Sequence, residues 1–313
     1  MQRWYPDYQT RDIDIVDYQQ FLIRDCDVKF RGPGLDPFAA EKGSFFTCLG
    51  AAQTYGCYYD EPFPNLLSKQ VGLPVLNLAV GGTGPGFYLQ YPSLIEAMNR
   101  SRFVVLQAMA ARHESNGRFE ADGYVEFVRD RIKGDSVTSA VAWQRIIDEE
   151  PDKAVQRVEE VRGNWLETTR KLVEQITVPV IFFWFSRRKP DYQFDVDAVR
   201  EQARRRAEGR DESHFIDGLA GDFPHYVDGP TARAAATMCD AYAECLSDRG
   251  MGQKLYNRHT GEAIQDISFA ALGSEYTAMH QTHNVYYPSA EMHEDACAAL
   301  LPVVRDLLAR EPV

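Results

Sequence analysis

Four apolar runs of strand length recur along this chain, separated by polar or amphipathic segments. They cover residues 44–49, 75–80, 102–108 and 178–185. The last run is apolar without alternation, which is typical of a parallel strand buried on both of its faces. We therefore expect these four segments to form neighbouring strands of one sheet.

Apolar residues at helical spacing mark the segments between these runs. They predict a short helix ending at Gly72, a crossover helix over 85–100 and a long amphipathic helix over 152–176. Alternating strands and helices predict an α/β fold with a doubly wound, parallel, five-stranded sheet in a three-layer, flavodoxin-like sandwich. The expected strand order is 2-1-3-4-5, and the pattern does not locate the fifth strand.

The rest of the chain is assigned from the same patterns, as one domain spanning 1–313. Residues 1–43 form an expected N-terminal extension wrapped on the domain, and 116–151 a polar, loop-like insertion with helical pieces. Further helices are predicted over 195–208, 229–247 and 290–310. A hairpin is predicted over 253–265, with Thr260-Gly261 at its turn.

Composition limits the classes of partner. The 313 residues carry a net charge of −12, which argues against a nucleic acid or an anionic membrane as partner. A local arginine cluster can still bind a small anion. No apolar run approaches the roughly 20 residues of a membrane span, and the N-terminus has no apolar signal segment, so we expect a cytoplasmic protein. The sequence leaves open whether the chain forms a homo-oligomer.

The six cysteines show no Cys-x-x-Cys pair and no histidine spacing suited to zinc, so we expect reduced core thiols, no metal and no cofactor. Cys48 and Cys57 flank the turn after the first strand, and each is a conceivable nucleophile. Their positions, inside the strand and beyond the turn, argue against that role.

Three sequence blocks carry the candidate chemistry. The first is Gly50-Ala51-Ala52-Gln53-Thr54-Tyr55-Gly56 after the first strand, and the second is Asn77-Leu-Ala-Val-Gly-Gly82 after the next. They resemble the first two blocks of the SGNH, or GDSL-type, esterases and acetyltransferases. The resemblance places Ala52 on the family's nucleophilic serine and Ala51 on its aspartate. A methyl group cannot attack a carbonyl.

The third block, Asn284-Val-Tyr-Tyr287-Pro, resembles the family's C-terminal Asp-x-x-His-Pro block. Asn284 then stands at the aspartate and Tyr287 at the histidine. Tyrosine has an unperturbed pKa of about 10, too high for a ready base near neutral pH. The resemblance therefore implies an SGNH-like fold without the family's Ser-His-Asp machinery.

Other residues of the expected site come from the strand ends, where ligands bind in open α/β sheets. Gly82 matches the glycine that donates an oxyanion N–H in the family. The other candidates carry hydrogen-bonding or ionic side chains near the expected site. The candidate binding residues are Gln53, Thr54, Arg112, Asn116, Arg187, Asn284 and Tyr287. The candidates for a relocated base are His113, His283 and His280.

Three functions fit these observations. The chain could be an SGNH-fold enzyme with relocated catalytic residues, such as a transferase, acting on a carbohydrate. It could instead be a pseudo-hydrolase that binds a saccharide, including an anionic one, without turnover, or an assembly partner with a vestigial pocket. The family often adds or removes ester groups on polysaccharides, so the resemblance implies a polysaccharide-related ligand. The acidic chain without a signal segment suits a cytosolic step in polysaccharide synthesis better than extracellular degradation.

Overall fold

The computed structural model describes residues 11–123, 125–209, 220–264 and 283–310. In these ranges the strands are β1 (Phe21–Leu22), β2 (Lys29–Phe30), β3 (Phe46–Leu49), β4 (Val75–Asn77), β5 (Val104–Gln107), β6 (Phe119–Ala121), β7 (Phe127–Asp130), β8 (Ser136–Thr138), β9 (Val180–Ser186), β10 (Ala241–Leu246), β11 (Gln253–Lys254) and β12 (His283–Asn284). The α-helices are α1 (Ala52–Tyr55), α2 (Phe63–Val71), α3 (Pro92–Arg100), α4 (Ser139–Glu149), α5 (Ala154–Gln175), α6 (Val196–Ala207), α7 (Gly229–Ala236) and α8 (Ala290–Ala309).

Five parallel strands form the central sheet in the order β4-β3-β5-β9-β10. Numbered by their sequence order, these strands read 2-1-3-4-5, which confirms the predicted topology. Register is continuous across the sheet centre, where Leu49 lies beside Leu106 and Leu106 beside Phe182. All carboxyl ends therefore meet at one edge, called the carboxyl edge below.

Helices cover both faces of this sheet, because its central strands are apolar on both sides. Phe46 and Ile181 face a core shared with α2 and α8, whereas Leu106 and Trp184 face a core shared with α3 and α5. The predicted α/β sandwich is thus confirmed. Among the helices of the described residues, none combines the length and apolar character that crossing a membrane would require.

The predicted helix over 229–247 is wrong in its second half. Helix α7 ends at Ala236, and β10 follows as the fifth strand and one edge of the sheet. Its side chains alternate between the core, as for Ala243 and Cys245, and the exposed face, as for Tyr242 and Leu246. This period of two belongs to a strand with one solvated face, and its alanines gave the segment a helical composition.

The expected loop-like insertion over 116–151 contains a three-stranded antiparallel sheet, β6-β7-β8, followed by α4. Its charges are paired inside the unit. The fully buried carboxylate of Asp130 accepts hydrogen bonds from Arg118, Arg145 and the backbone of Ile132 and Lys133. Because such pairing allows short strands to be rich in charge, composition alone suggested a loop.

The segment predicted as a hairpin near Thr260-Gly261 does turn there. Tyr256 forms an antiparallel bridge with Ala263, and Asn257 exchanges backbone hydrogen bonds with Gly261 and Glu262. The preceding strand β11 pairs with β12 instead of continuing this hairpin. Residue 265, the last of the predicted hairpin, lies outside the described residues.

The N-terminal segment packs against the loop that follows α1. The guanidinium of Arg31 is buried and donates hydrogen bonds to four backbone carbonyls, those of Tyr55, Gly56, Tyr59 and Asp60. The Tyr18 hydroxyl accepts from the N–H of Tyr58 and donates to Asp12. These contacts fix the loop beside the nucleophile position, while residues 1–10 of the expected extension lie outside the described part.

Candidate functional site

The turn after β3 places Ala52 at the carboxyl edge, where the sequence resemblance expects a nucleophile. Ala51 is the residue before α1, and it offers no side chain to accept a helix N–H. Ala52 itself is only 6% exposed, and its methyl group packs in a cluster with Tyr55 and Tyr58. Ala52 is therefore a core residue without a reactive side chain.

A buried hydrogen-bond network holds this turn. The side-chain oxygen of Gln107 accepts from the Thr54 hydroxyl at 2.6 Å and from the Ala51 N–H at 3.3 Å. The Asn77 amide donates to the Thr54 carbonyl oxygen at 3.0 Å. Thr54, expected as a binding residue, therefore uses its hydroxyl proton inside the protein. Gln107 ends β5 inside an apolar run, which is why the sequence did not indicate it.

Gln53 lies in the same turn and is buried, at 5% exposure. Its side-chain oxygen has no hydrogen-bond partner among the described residues. An unpaired buried acceptor costs free energy unless water or a ligand satisfies it. Gln53 thus stays a predicted binding residue.

Gly82 follows β4 with φ of +73°, in a conformation that side chains rarely adopt. The insertion lies against it, because a Cβ at Gly82 would lie 3.2 Å from the Cβ of Glu126 and 3.6 Å from a Glu126 carboxylate oxygen. A carboxylate at this distance repels an oxyanion bound at the Gly82 N–H. This electrostatic conflict favours another place on the carboxyl edge for an anionic group.

Two histidines and an arginine meet beyond the ends of β5 and β9. Arg112 donates through Nε to Nε2 of His113 at 3.1 Å, and the N–H of Ala111 donates to the carbonyl of His225 at 3.0 Å. The imidazole of His225 lies 2.7 Å from the Gly221 carbonyl oxygen and 3.2 Å from the Tyr286 hydroxyl. The structure thus connects strand-end loops that are far apart in sequence.

Both imidazoles are held neutral. Burial and the nearby Arg112 guanidinium hold the pKa of His113, and that of His225, well below the usual value near 6.5. The Nδ1 atom of His113 also has no hydrogen-bond partner among the described residues. A buried neutral imidazole beside a guanidinium is a poor base, since its protonation would place two cations together.

Arg187 and Arg188 follow β9 and contribute further positive charge near His225, whose pKa they also lower. Arg187 pairs with Asp222 at 2.7 Å. Arg188 instead donates to backbone carbonyls of the loop that carries His225, among them those of Asp222, Pro224 and Val227. Arg188 therefore positions this loop, whereas Arg187 is the more exposed of the two.

The C-terminal block lies on the other side of this cluster. Asn284 is buried, and its side chain accepts from the N–H of Tyr287 at 2.9 Å and donates to the Tyr287 carbonyl at 2.9 Å. The Tyr287 ring packs edge-on against Tyr58 and Tyr286, and burial raises the pKa of its hydroxyl. Asn284 thus shapes the turn that carries Tyr287.

Two other predicted residues, Asn116 and His283, make contacts with other segments. The side-chain oxygen of Asn116 accepts the N–H groups of Arg118 and Phe119, which closes the turn into β6. His283 is exposed, and its backbone pairs with Lys254. His280, the alternative base, falls outside the described residues.

The structure thus brings together Arg112, His113 and Arg187 around His225, and joins this group to the Asn284–Tyr287 turn through Tyr286. Sequence reasoning missed His225 and Tyr286. The signal for His225 was weak, since it is a single histidine in the loop Gly221-Asp-Phe-Pro-His225 without a motif partner. Within the described ranges, no group of three His, Cys, Asp or Glu side chains is placed to hold a metal ion. The six cysteines all lie in the described ranges and are not joined in disulfides.

A family model described as a domain of unknown function, DUF6473, matches residues 7–122. That range is just over a third of the chain, and it includes Arg31, the Ala52 turn, Gly82 and Arg112. No curated protein matches the sequence.

The chain is also similar to solved carbohydrate esterases. A carbohydrate esterase family 2 enzyme with a carbohydrate-binding domain from Corynascus thermopiles (Myceliophthora fergusii) is 8% identical, with 87% of this chain and 68% of that chain covered and a TM-score of 0.39. A family two carbohydrate esterase from Clostridium thermocellum in complex with cellohexaose is 9% identical, with 86% of this chain and 66% of that chain covered and a TM-score of 0.36. A carbohydrate acetylesterase family member from Sinorhizobium meliloti is 10% identical, with 85% of this chain and 100% of that chain covered and a TM-score of 0.38.

This chain therefore spans about two thirds of the first two proteins. Identities of 8 to 10% and TM-scores below 0.5 are too low to transfer a site or an activity from any of the three.

Proposed function

We propose that this protein is a divergent SGNH-like chain that binds an anionic, carbohydrate-related ligand at the carboxyl edge, without the Ser-His-Asp esterase mechanism. The observation that carries the proposal is that the loop of His225 contacts the backbone next to Arg112 and is bonded to Arg187 and Arg188, in a protein of net charge −12. Guanidinium groups bind carboxylate, sulfate and phosphate oxygens in two places at once.

The absence of hydrolytic chemistry follows from three positions. Ala52 offers no nucleophile, and the side chain of Asn284 is used to shape its own turn. Tyr287 packs among tyrosines with a raised pKa, so it does not accept a proton at neutral pH. A site that keeps the strand-end loops and loses these groups retains binding and loses turnover.

Polar groups next to the arginines suit a sugar. Gln53 presents a buried acceptor, and Tyr286 reaches the cluster through His225. We further propose a cytoplasmic location, because six cysteines without disulfides suit a reducing compartment, and a role in a step of polysaccharide synthesis.

The test is calorimetric binding of uronic-acid, sulfated and phosphorylated saccharides, with neutral saccharides for comparison. We expect anionic saccharides to bind the wild type, Arg112→Ala to weaken binding most, and Arg187→Ala to weaken it less, because Asp222 already pairs with Arg187. Arg24→Ala is the control, since Arg24 lies on the N-terminal segment and pairs with Glu96 of α3.

Equal binding by wild type and Arg112→Ala would remove the anion site from this cluster. Binding of none of these saccharides would refute the proposed ligand class and favour an assembly partner instead.

A further inference from the structure

The hydrogen bonds of His225 fix which of its ring nitrogens carries the proton. Its Nδ1 lies 2.7 Å from the carbonyl oxygen of Gly221. A carbonyl oxygen only accepts hydrogen bonds, so Nδ1 must be the donor and must carry a hydrogen. The imidazole is neutral, and its Nε2 therefore keeps a lone pair.

The direction of the next hydrogen bond follows. Nε2 of His225 lies 3.2 Å from the Tyr286 hydroxyl, and a nitrogen with a lone pair accepts. The Tyr286 hydroxyl therefore donates its only proton to His225. What its oxygen can offer any further group is a lone pair.

Tyr286 and Arg112 border the same imidazole from different loops. The Tyr286 hydroxyl contacts Nε2, and Arg112 is the largest charged influence on His225. Both residues are partly exposed. A cationic donor and a neutral acceptor thus act on the same imidazole from different loops.

We propose that Tyr286 is a ligand-contacting residue, which accepts a hydrogen bond from a ligand hydroxyl while Arg112 binds the ligand's oxyanion, and that His225 is the positioning residue that sets Tyr286 as an acceptor. The inference rests on the proposed function and narrows its ligand. The matching class is a sugar acid whose hydroxyl group stands close to its carboxylate, as in a uronate. An anion without hydroxyl groups can bind Arg112 but has no hydrogen to donate to Tyr286.

Two probes of equal charge separate the contribution of Tyr286 from that of Arg112. D-glucuronate carries a carboxylate with hydroxyl groups on a six-membered ring, whereas cyclohexanecarboxylate carries the carboxylate alone. One neutral hydrogen bond contributes about 0.5–1.5 kcal/mol, so Tyr286→Phe should weaken glucuronate binding about 3- to 10-fold. It should leave cyclohexanecarboxylate binding unchanged, and Arg112→Ala should weaken both.

The histidine is tested separately, by nitrogen-15 NMR of the full-length wild-type protein. We expect His225 as the Nδ1–H tautomer, with an Nε2 shift typical of a hydrogen-bonded acceptor that moves toward the free-acceptor value in Tyr286→Phe. A role in stability alone would not produce this change, and thermal unfolding of the variant checks its fold.

Each alternative result has a distinct meaning. If glucuronate binding requires Arg112 but not the Tyr286 hydroxyl, this inference is wrong and the proposed function stands. Equal loss of both probes in Tyr286→Phe also overturns it, as does an Nε2–H tautomer of His225. Failure of both probes to bind the wild type refutes the uronate ligand together with this inference, whereas sulfated or phosphorylated saccharides still test the proposed function.

Discussion

Thr54 donates its hydroxyl hydrogen to the side-chain oxygen of Gln107 at 2.6 Å, which ties the turn after β3 to the end of β5. The same oxygen accepts the N–H of Ala51. The turn that carries Ala52 is therefore held by Gln107, a residue outside the block of residues 50–56.

Gly50→Ala should destabilise the protein by about 1–3 kcal/mol, as overpacking of a filled core does. A Cβ at this position would overlap the Thr54 hydroxyl and the Gln107 oxygen and would lie 2.8 Å from the Thr54 Cβ. Urea unfolding measures the change in the free energy of unfolding. Gly163→Ala is the control, because Gly163 lies exposed in α5 with open space around it. There alanine should add about 0.5–1 kcal/mol of stability. A neutral Gly50→Ala would show that the turn can move.

Arg31→Lys should cost at least about 2 kcal/mol, because a single ammonium cannot reproduce a planar fork that serves four carbonyls. Urea unfolding again gives the change. Arg24→Lys is the matched control, since Arg24 is half-exposed and pairs with Glu96 on the surface. Its effect should stay below about 1 kcal/mol. Similar small effects for both variants would mean that the loop after α1 does not depend on Arg31.

The order of the sheet was predictable because its strands are buried on both faces. Such strands read as continuous apolar runs, as 178–185 does, and short crossovers leave few topologies. β10 was missed because it is an edge strand whose alternate residues, such as Tyr242, face solvent. An alternating segment rich in alanine resembles a helix when its partner strand is unknown.

The sequence indicates candidate site residues only where they belong to a motif, as Ala52, Asn284 and Tyr287 do. His225 and Tyr286 come into contact only through folding, across 61 positions. Glu126 was missed for a similar reason, because it reaches Gly82 from the insertion. Contacts between loops depend on backbone paths that local patterns do not encode.

Glu114→Gln should stabilise the protein, and more so as the pH rises. Burial raises the pKa of Glu114 from its usual value near 4.5 to about 8. Between these values the folded state keeps a proton that the unfolded state has lost, so wild-type stability falls as the pH rises through this window. At 1.36 kcal/mol per pKa unit, the gain from glutamine is at most about 3 kcal/mol at pH 7 and below about 1 kcal/mol at pH 5.

Thermal and urea unfolding of both proteins from pH 5 to 8 measures this difference. Glu120→Gln is the control, because Glu120 is exposed and pairs with Arg131 at 3.6 Å. Its effect should stay within about 0.5 kcal/mol at every pH. A gain for Glu114→Gln that did not change with pH would contradict a buried, protonated carboxyl group.

Ala52→Ser should restore a hydroxyl group at the nucleophile position without restoring esterase activity. A serine attacks only when a base takes its proton, and the base position holds Tyr287, packed against Tyr58 with a raised pKa. We expect hydrolysis of p-nitrophenyl acetate by the variant to match that of the wild type, and a fluorophosphonate probe to leave Ser at position 52 unlabelled.

Ala52→Cys separates a lack of access from a lack of activation, because a thiol there can be tested with a small alkylating reagent. Alkylation of the cysteine with no labelling of the serine is the expected pair of results. Fluorophosphonate labelling of the serine would mean that a base already faces position 52, and the site would then be one substitution away from a hydrolase.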